Sequence, residues 1–367
     1  MKRTYRKTGA VTDSSAVLDL LNPKRDGGAM PPIRDEDLLR RVAEAGSFVR
    51  PIIERQCIDE QMRRDTIAAM PRDARRRAAT QHILQEQGGG ERDNLRHIHS
   101  VLAICSLPYT RQPMHVREWQ RKQGRMSLVV SAGKLMSPDE KWVDQPLPYG
   151  SRARLLLLHT CSEAIRQNSP VVQIEDSLSG FIRAMGFAVT GGKNGTLNSF
   201  KQQVQALAAC SMRIGVWDGE RAKTINTQPF SAIDVWLPTT PDQRSLWPST
   251  VTFSQEFYGT LTKHALPVNV HAVKAFAGSP RKLDLLFWLG YRLNTLSRPL
   301  SISWEALREQ WGAGYSRANN FKRDFALEIK EIKEVFPKLP VKVTEEGFTI
   351  SPGTAEVLAI PTKHRKS

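Results

Sequence analysis

The stretch WEALREQWGAGYSRANNFKRDFALEIKEIKEVF, residues 304–336, determines the fold of the last third of this chain. Its apolar residues recur at helical spacing on both sides of a short segment that contains Gly312 and Gly314. This spacing predicts two helices, because the glycines end the first one before the chain turns into the second. The buried helix SPRKLDLLFWLGYRLNTL and the strand PLSIS come before the pair, and VKVTEEGFTISP after it predicts a β-hairpin.

A similar order of elements occurs earlier in the chain. SRARLLLLHTCSEAIRQN predicts a helix with one apolar face, VVQIE a strand, SLSGFIRAMGF a second helix, and residues 196–212 a third. Two strands are then expected at 211–219 and 230–238, joined by the polar stretch 219–228. Helix, strand, helix, turn, helix and hairpin is the order of a winged helix-turn-helix, although no residue-level repeat accompanies the recurrence.

The predicted fold class is therefore α+β and mostly helical, with tandem winged helix-turn-helix domains and a basic, partly flexible amino-terminal arm. Short strands such as SLVVSAG precede the first domain. The arm is expected to be partly disordered or helical, with helices near 36–50 and 53–62. The predicted boundaries place the arm, the first domain with its preceding strands, the second domain and a basic tail at residues 1–94, 95–262, 263–355 and 356–367.

The charge balance indicates a polyanionic partner. Lys and Arg number 53 against 37 Asp and Glu, which gives a formal net charge of +16. Nucleic acid or an acidic membrane surface fits this excess, and a basic soluble protein with neither partner is the alternative. No apolar run approaches the roughly 18 residues that span a bilayer. No signal peptide is visible, and the four scattered cysteines predict reduced thiols, so a cytoplasmic protein is expected.

The loop TGGKNGT at 190–196 raises the possibility of a nucleotide phosphate site. A P-loop needs a second glycine five residues before Gly-Lys and a Ser or Thr after the lysine. Here Phe187 and Asn194 occupy those two positions, and a helix precedes the loop where a P-loop has a strand. The loop is instead expected to be the turn of a helix-turn-helix, where Lys193 and the amides near Thr196 contact a DNA phosphate.

Each third helix carries a polar face that suits DNA. Asn and Gln side chains can pair with adenine edges, whereas Lys binds phosphates. A solvated polar face is the alternative for the first of these helices, and surface ion pairs of Glu328 or Glu331 with lysines are the alternative for the second. The candidate DNA-binding residues of the first module are Lys193, Thr196, Asn198, Ser199, Lys201, Gln202 and Gln205. Those of the second module's helix are Ser316, Arg317, Asn319, Asn320, Lys322 and Arg323. The wings are expected to contribute Arg221, Lys223 and Lys342 as phosphate ligands.

The pair His97 and His99 supports an enzymatic alternative. A His-hydrophobe-His pattern on a strand places both imidazoles on one face, where they could share a divalent metal. Rolling-circle initiators use such a pair beside a nucleophilic tyrosine, for which Tyr109 and Tyr291 are the candidates. A structural histidine pair explains the same residues, and we predict no metal, no cofactor and no catalytic residue.

The segment that begins LPYGSRARLLLLHTCSEAIRQN resembles the RepA-type plasmid replication initiators. The resemblance includes SLSGFIRAMGF, the GG-x-x-G loop and SFKQQVQALAACSMRI, with SLPYTRQP and SLVVSAG upstream. It covers about residues 95–260. Beyond about residue 265 the chain is similar only to the general plan of two winged helices, and the first 94 residues lie outside the resemblance.

The resemblance implies theta-type initiation of plasmid replication without enzymatic activity. Such proteins bind directly repeated origin sequences called iterons, promote origin opening, and recruit the host DnaA-type initiator and the replicative helicase. They also exchange between monomers and dimers that control copy number. A metal-dependent nicking initiator that uses His97 and His99, and a winged-helix transcriptional repressor, are the alternative functions.

Overall fold

The computed structural model describes residues 33–71, 94–173, 195–233 and 250–360, apart from positions 138 and 218, together with 75, 78 and several positions between 180 and 190. The chain divides into two compact units, Met1–His82 and Ile83–Ser367. The predicted flexible arm before residue 33 and the basic tail after residue 360 lie outside the described residues.

The first unit contains two helices, α1 (Glu36–Glu44) and α2 (Arg50–Ala69). Both were expected near these positions, but the predicted bounds were wrong. Helix α1 ends at Glu44 because the backbone of Ala45 is extended, and α2 begins earlier because Pro51 suits a first helical turn. Buried Leu38, Val42 and Cys57 hold the two helices together.

Arg64 supplies the main polar link within this helix pair. Its guanidinium contacts Asp35 and Asp37, which lie at the start of α1, and Glu60 one turn earlier in α2. The hydrogen bond to Asp37 lowers the pKa of that carboxyl group below its usual value. A small apolar core is thus supplemented by an arginine that gathers acids at a helix amino terminus, where negative charge is also favoured by the helix dipole.

The second unit alternates helices with short antiparallel strands. Its first half contains β1 (Leu95–His99), α3 (Ser100–Ile104), β2 (Glu118–Gln123), β3 (Met126–Ser131), β4 (Lys134–Met136), β5 (Trp142–Asp144), α4 (Gly150–Gln167), β6 (Val171–Gln173), α5 (Thr196–Ala209), β7 (Ser211–Trp217), β8 (Ala222–Thr227), β9 (Phe230–Ile233) and β10 (Thr250–Phe253). Its second half contains α6 (Gln255–His264), β11 (Ala265–Asn269), α7 (Val270–Phe276), α8 (Pro280–Thr295), β12 (Leu300–Ser303), α9 (Trp304–Trp311), α10 (Ala318–Val335), β13 (Val341–Val343) and β14 (Gly347–Ile350). The fold is α+β, as predicted.

Two modules of this unit share one topology. We call α4 to β10 the first module and α8 to β14 the second. In the second module the strand after the first helix pairs with the last strand, and the sheet order is β12-β14-β13. In the first module the corresponding order is β6-β10-β9, so β9 and β10 occupy the position of the β13–β14 hairpin. The two modules therefore share this strand order, although the first also contains β7 and β8 between α5 and β9.

The prediction for the hairpin of the first module was wrong. Strand β7 pairs with β8, which lies in the polar stretch 219–228 that was expected to be a connection. Strands β7 and β8 then join β2 and β3 in a four-stranded sheet of order β2-β3-β7-β8. Arg221 and Lys223 consequently lie on this added hairpin and not in the sheet β6-β10-β9, where the predicted wing would be. The residues 234–249 that connect β9 to β10 lie outside the described residues.

A strand that precedes the first module pairs with a strand that lies between the two modules in the sequence. Strand β1 pairs with β11 along its whole length, from Leu95 opposite Asn269 to His99 opposite Ala265. A short helix follows each strand directly, and each helix is capped by the last residue of its strand. His99 accepts a hydrogen bond from the amide of Val101, and Asn269 accepts from the amides of His271 and Ala272.

Helix α4 lies at the centre of the unit. The predicted single apolar face was too narrow, because every residue from Ala153 to Ser162 is buried. A helix that is apolar on all sides has to be enclosed by other elements. Helix α8 packs against it and is similarly enclosed, with Leu285, Phe287 and Leu289 fully buried.

A buried ion pair joins these two helices. Arg154 of α4 donates to both carboxylate oxygens of Asp284 in α8, with its Nε 2.6 Å from Oδ1 and its Nη2 2.7 Å from Oδ2. The remaining protons of the guanidinium reach the carbonyl oxygens of Leu107, Pro108 and Gly150. The side chains of the pair are 3% and 2% exposed, so each buried charge is stabilised by the other and not by water.

We predict that Asp284→Asn destabilises the second unit strongly. The substitution leaves the Arg154 charge buried without an anionic partner, which costs about 3–5 kcal/mol in comparable cases. Urea unfolding measures the loss. Asp144→Asn is the matched control, because Asp144 pairs with Arg117 at a half-exposed position where about 1 kcal/mol or less is expected. Equal losses in the two variants would contradict the assignment.

Candidate nucleic-acid interface

Helix α10 of the second module separates an apolar face from an exposed polar face. Its apolar stripe, predicted from the sequence, is buried throughout and consists of Phe321, Phe325, Ile329, Ile332 and, just past the helix end, Phe336. The predicted polar residues lie at the opposite side of the first turns. Those that are exposed are Ser316, Arg317, Asn319, Asn320 and Arg323. Lys322 is half-buried, with its ammonium 5.6 Å from the ring centroid of Trp304.

The turn before α10 is held rigidly. Gly314 has a φ of 91°, which L-residues rarely adopt, and a Cβ at Gly312 would lie 2.5 Å from the carbonyl oxygen of Arg308. The Arg308 guanidinium donates to the carbonyl oxygens of Tyr315 and Ser316 at 3.4 and 3.2 Å. The turn therefore presents the amino-terminal end of α10 at a fixed position relative to α9.

The carboxyl-terminal half of α10 is tied to α8 through ion pairs. Glu328 accepts from Nε of Arg281 at 2.5 Å and from its Nη2 at 3.0 Å, and Glu331 contacts Lys282. Surface pairing of these glutamates with lysines was the alternative explanation of the helix, and it holds for Glu331. Because these acids face α8, they leave the exposed amino-terminal half of the helix with a positive balance.

Polar contacts also reach from this buried base to the exposed end of α10. Arg281 donates from Nη2 to the Tyr315 hydroxyl at 2.7 Å, and that hydroxyl donates to Oδ2 of Asp324 at 3.0 Å. Nε of Arg323 donates to Oδ1 of Asp324 at 2.9 Å. The hydrogen bond from Arg323 is the largest of the contacts that lower the pKa of Asp324. Tyr315 and Asp324 were not among the predicted site residues, and the contact of Tyr315 with Arg281, 34 residues away, forms only in the folded chain.

The hairpin β13–β14 lies beside this helix and turns at Glu345 and Glu346, one residue before the predicted turn at Glu346 and Gly347, because Gly347 already begins β14. Lys342 is exposed on β13, opposite Thr349. Glu345 and Glu346 are exposed at the tip, and the Trp304 indole donates to the carbonyl oxygen of Glu345 at 2.9 Å. A phosphate would therefore be attracted near Lys342 and repelled at the tip.

Helix α5 of the first module is more enclosed than α10. Phe200, Val204 and Leu207 are buried as predicted, and Gln202 is exposed. The other predicted polar residues that the structure describes are half-buried: Thr196, Asn198, Ser199, Lys201 and Gln205. Burial lowers the pKa of Lys201. Lys193 lies outside the described residues.

The first turn of α5 is capped by the chain itself. Thr190 accepts from the amide of Thr196 through its hydroxyl at 3.0 Å and from the amide of Leu197 through its carbonyl oxygen at 3.2 Å. The Ser199 hydroxyl donates to the carbonyl oxygen of Thr196. Two of the amides near Thr196 that were expected to meet a phosphate are therefore already satisfied by Thr190.

The comparisons with known proteins bear on this arrangement. Residues 147–306 match a family model described as RepA_C, plasmid encoded RepA protein. This segment is similar to the RepA_C family. A crystal structure of domain 2 and domain 3 of RctB is similar over 68% of this chain and 96% of that chain, with 12% identity and a TM-score of 0.43. That likeness is too distant to support an argument about fold or function. No curated protein matches the chain.

The RepA_C segment includes the first module and ends just after β12. It contains both partners of the buried pair, Arg154 and Asp284, and also α5 with its candidate residues. Helix α10 lies beyond the segment, so the family match does not extend to Arg323. The interface formed by α10 rests on its geometry and charge alone.

His99, within β1 and outside the RepA_C segment, has both ring nitrogens engaged. Its Nδ1 accepts from the amide of Val101 at 3.1 Å, and its Nε2 lies 3.0 Å from the Thr260 hydroxyl. The Tyr109 hydroxyl is buried, and burial raises its pKa to about 12. A buried capping histidine and a tyrosine that resists deprotonation do not support a metal-dependent nicking site at His97 and His99.

In the described ranges, no cluster of three or more His, Cys, Asp and Glu side chains is arranged to hold a metal ion. No helix in the same ranges combines the length and apolarity needed to cross a bilayer. All four cysteines are buried and free.

We predict that acid destabilises the fold through two histidines. Burial lowers the pKa values of His99 and His159 to about 4, so both are neutral in the folded protein. The unfolded chain binds these protons at its usual histidine pKa of about 6.5, and stability is therefore lost as the pH falls from about 6.5 toward 4. Urea unfolding at pH 7 and pH 5 should differ by about 2 kcal/mol for each histidine.

His99→Asn tests the contribution of one site. Asparagine caps α7 at the equivalent position, Asn269, so the variant keeps a capping side chain and removes the titrating group. The variant should lose less stability between pH 7 and pH 5 than the wild type does. His115→Asn, at an exposed position, should leave the pH dependence unchanged. An unchanged slope in His99→Asn would refute the prediction.

Proposed function

We propose that this chain initiates replication at a plasmid origin by binding repeated duplex DNA through two winged helix-turn-helix modules. The observation that carries the proposal is the strand order that the two modules share, β6-β10-β9 and β12-β14-β13, together with the helix, turn and helix of α9 and α10 that precede β13 in the second module. The match of residues 147–306 to the RepA_C family model supports a role in plasmid replication. The net charge of +16 supports a polyanionic partner.

Two modules on one chain suit a long asymmetric binding site. In a winged helix the third helix enters the major groove, and successive grooves on one face of DNA lie about 34 Å apart. Helix α10 is the stronger candidate for base contacts, since its first turns expose Asn319, Asn320 and Arg323. Helix α5 presents Gln202 and the half-buried amides of Asn198 and Gln205. A single chain would thus recognise a direct repeat without palindromic symmetry.

Binding would be the only chemical task of the protein. In this proposal the bound chains promote opening of the adjacent AT-rich DNA, recruit the host DnaA-type initiator and the replicative helicase, and exchange between monomers and dimers that limit copy number. These steps follow from the resemblance to RepA-type initiators. A transcriptional repressor of the same fold would bind DNA equally well, so the function must be tested at the level of replication.

Plasmid maintenance tests the function directly. The gene and the repeats beside it are placed on a circle that lacks any other initiator, and transformants are counted in a bacterial host. We expect stable maintenance from the wild-type gene and none from Arg323→Ala. Failure of the wild-type gene to maintain the circle, combined with repression of a nearby promoter, would favour the repressor.

We predict that Arg323 and Lys342 affect binding in different ways. Arg323→Ala should weaken binding to the preferred duplex by about 1–3 kcal/mol and relax the preference at one position, because it removes a base contact. Lys342→Ala should weaken binding to all sequences similarly and reduce the salt slope by about 1, because it removes a phosphate contact. Fluorescence anisotropy between 50 and 200 mM salt measures both effects, with preferred and scrambled duplexes as probes.

The wild-type protein provides the reference for these variants. If it neutralises about 6–10 phosphates, its affinity should fall by about 10³–10⁵-fold across that salt range. Identical behaviour of Arg323→Ala and the wild type on the preferred duplex would show that α10 does not contact bases.

A further inference from the structure

Arg323 lies at the exposed end of a hydrogen-bonded network of charged and polar side chains. The network begins at Glu328, passes through Arg281 and the Tyr315 hydroxyl to Asp324, and ends at Nε of Arg323. The Arg281 and Glu328 side chains are 10% and 13% exposed, whereas Asp324 is 34% and Arg323 is 71% exposed. The network is therefore fixed at its buried end, Arg281 and Glu328, and is most exposed to solvent at Arg323.

The aromatic core holds Tyr315, the middle of this network, in place. The Tyr315 ring meets Phe321 edge to face with centroids 5.6 Å apart, and the Arg281 guanidinium lies 4.9 Å from the Tyr315 ring centroid. The Tyr315 hydroxyl consequently points at Asp324 because of packing, and not because of the hydrogen bond alone. Asp324 in turn has one carboxylate oxygen for Tyr315 and the other for Arg323.

The contact through Nε determines what the rest of the guanidinium can do. An arginine has five N–H donors in a planar fork, and Asp324 occupies the one on Nε. The donors on Nη1 and Nη2 then form the outer edge of the plane. Two parallel donors at that edge match the O6 and N7 acceptors of guanine in the major groove. Adenine offers one acceptor and one donor at the same edge, so it does not match.

We infer that Tyr315 and Asp324 are positioning residues that orient Arg323 to select guanine. This inference rests on the proposed function of α10 as a base-contacting helix. An exposed arginine normally samples many rotamers and loses that freedom when it binds. The Asp324 carboxylate, held by Tyr315, restricts Arg323 before DNA arrives. The positive charges of Arg323 and Arg281 offset the repulsion that an unpaired carboxylate would exert on phosphates.

A double-mutant cycle in the full chain tests the inference. Wild type, Tyr315→Phe, Arg323→Ala and the double variant each select sequences from a randomised duplex library. The wild type should enrich guanine at one position, and Arg323→Ala should lose that enrichment. Tyr315→Phe keeps the ring and removes the hydroxyl, so it should reduce preference at the same position by about tenfold and leave the other positions unchanged. The double variant should be no worse than Arg323→Ala.

Controls separate positioning from general stability. Tyr258→Phe removes the hydroxyl of another half-buried tyrosine, on α6, and should leave the sequence profile intact. Affinity for a scrambled duplex should be equal in all variants. If Tyr315→Phe unfolds early, Asp324→Asn takes its place, because the amide keeps the shape of the carboxylate and removes the charge that holds Arg323. Its profile should weaken at the same position.

The outcomes distinguish this inference from the proposed function. An unchanged profile in Arg323→Ala overturns both, because α10 would then contact no base through Arg323. A relaxed profile in Arg323→Ala with an intact profile in Tyr315→Phe, or effects that add in the double variant, overturns only the positioning role. Selection of a base other than guanine at the affected position overturns the assignment of guanine.

Discussion

The ion pair between Arg154 and Asp284 is the constraint on which the second unit depends. One guanidinium satisfies a carboxylate of α8, two carbonyl oxygens of the segment before β2, and one carbonyl oxygen at the start of its own helix. Removing such charges from water is costly, and only a complete set of hydrogen bonds compensates for the loss. The first helices of both modules are thereby held in one orientation, and any DNA-binding surfaces on the two modules acquire a fixed separation.

Charge is distributed unevenly along the candidate interface. On α10 the acidic half faces α8 through Glu328 and Glu331, and the half that carries Asn319 and Arg323 faces outward. Glu328 and Glu331, which would otherwise repel a polyanion, thus form ion pairs that hold the helix to its own module. The hairpin beside it follows no such rule, since Glu345 and Glu346 are exposed at its tip. A duplex lying along this module would meet attraction at the helix and repulsion at the hairpin tip.

Periodicity predicted the elements whose burial is one-sided and failed where burial takes another form. Helix α10 has one buried stripe, so its core residues follow from spacing. Helix α4 is enclosed on all sides, and its spacing suggested too narrow a core. Strand β8 lies at the edge of its sheet, and Lys223 and Thr224 are both exposed. The strand therefore lacks the alternation of polar and apolar residues that predicts a strand, and its sequence predicts a connection instead. Folding alone brings together Arg154 and Asp284, and likewise Tyr315 and Arg281. No local sequence pattern predicts these pairs.

The pairing of β1 with β11 has a consequence for how the protein is made. At a synthesis rate of about 5–20 residues per second, β1 leaves the ribosome roughly ten seconds or more before β11 exists. During that interval the strand has unpaired amide and carbonyl groups and an apolar side chain, Ile98, that is buried in the finished fold. The sheet of the first module can form once Phe253 has been made, but β1 stays unpaired until the chain has passed Asn269. Ribosome-bound and prematurely terminated chains therefore carry an open strand edge, and these are the species in which the protein is most exposed to association with other chains.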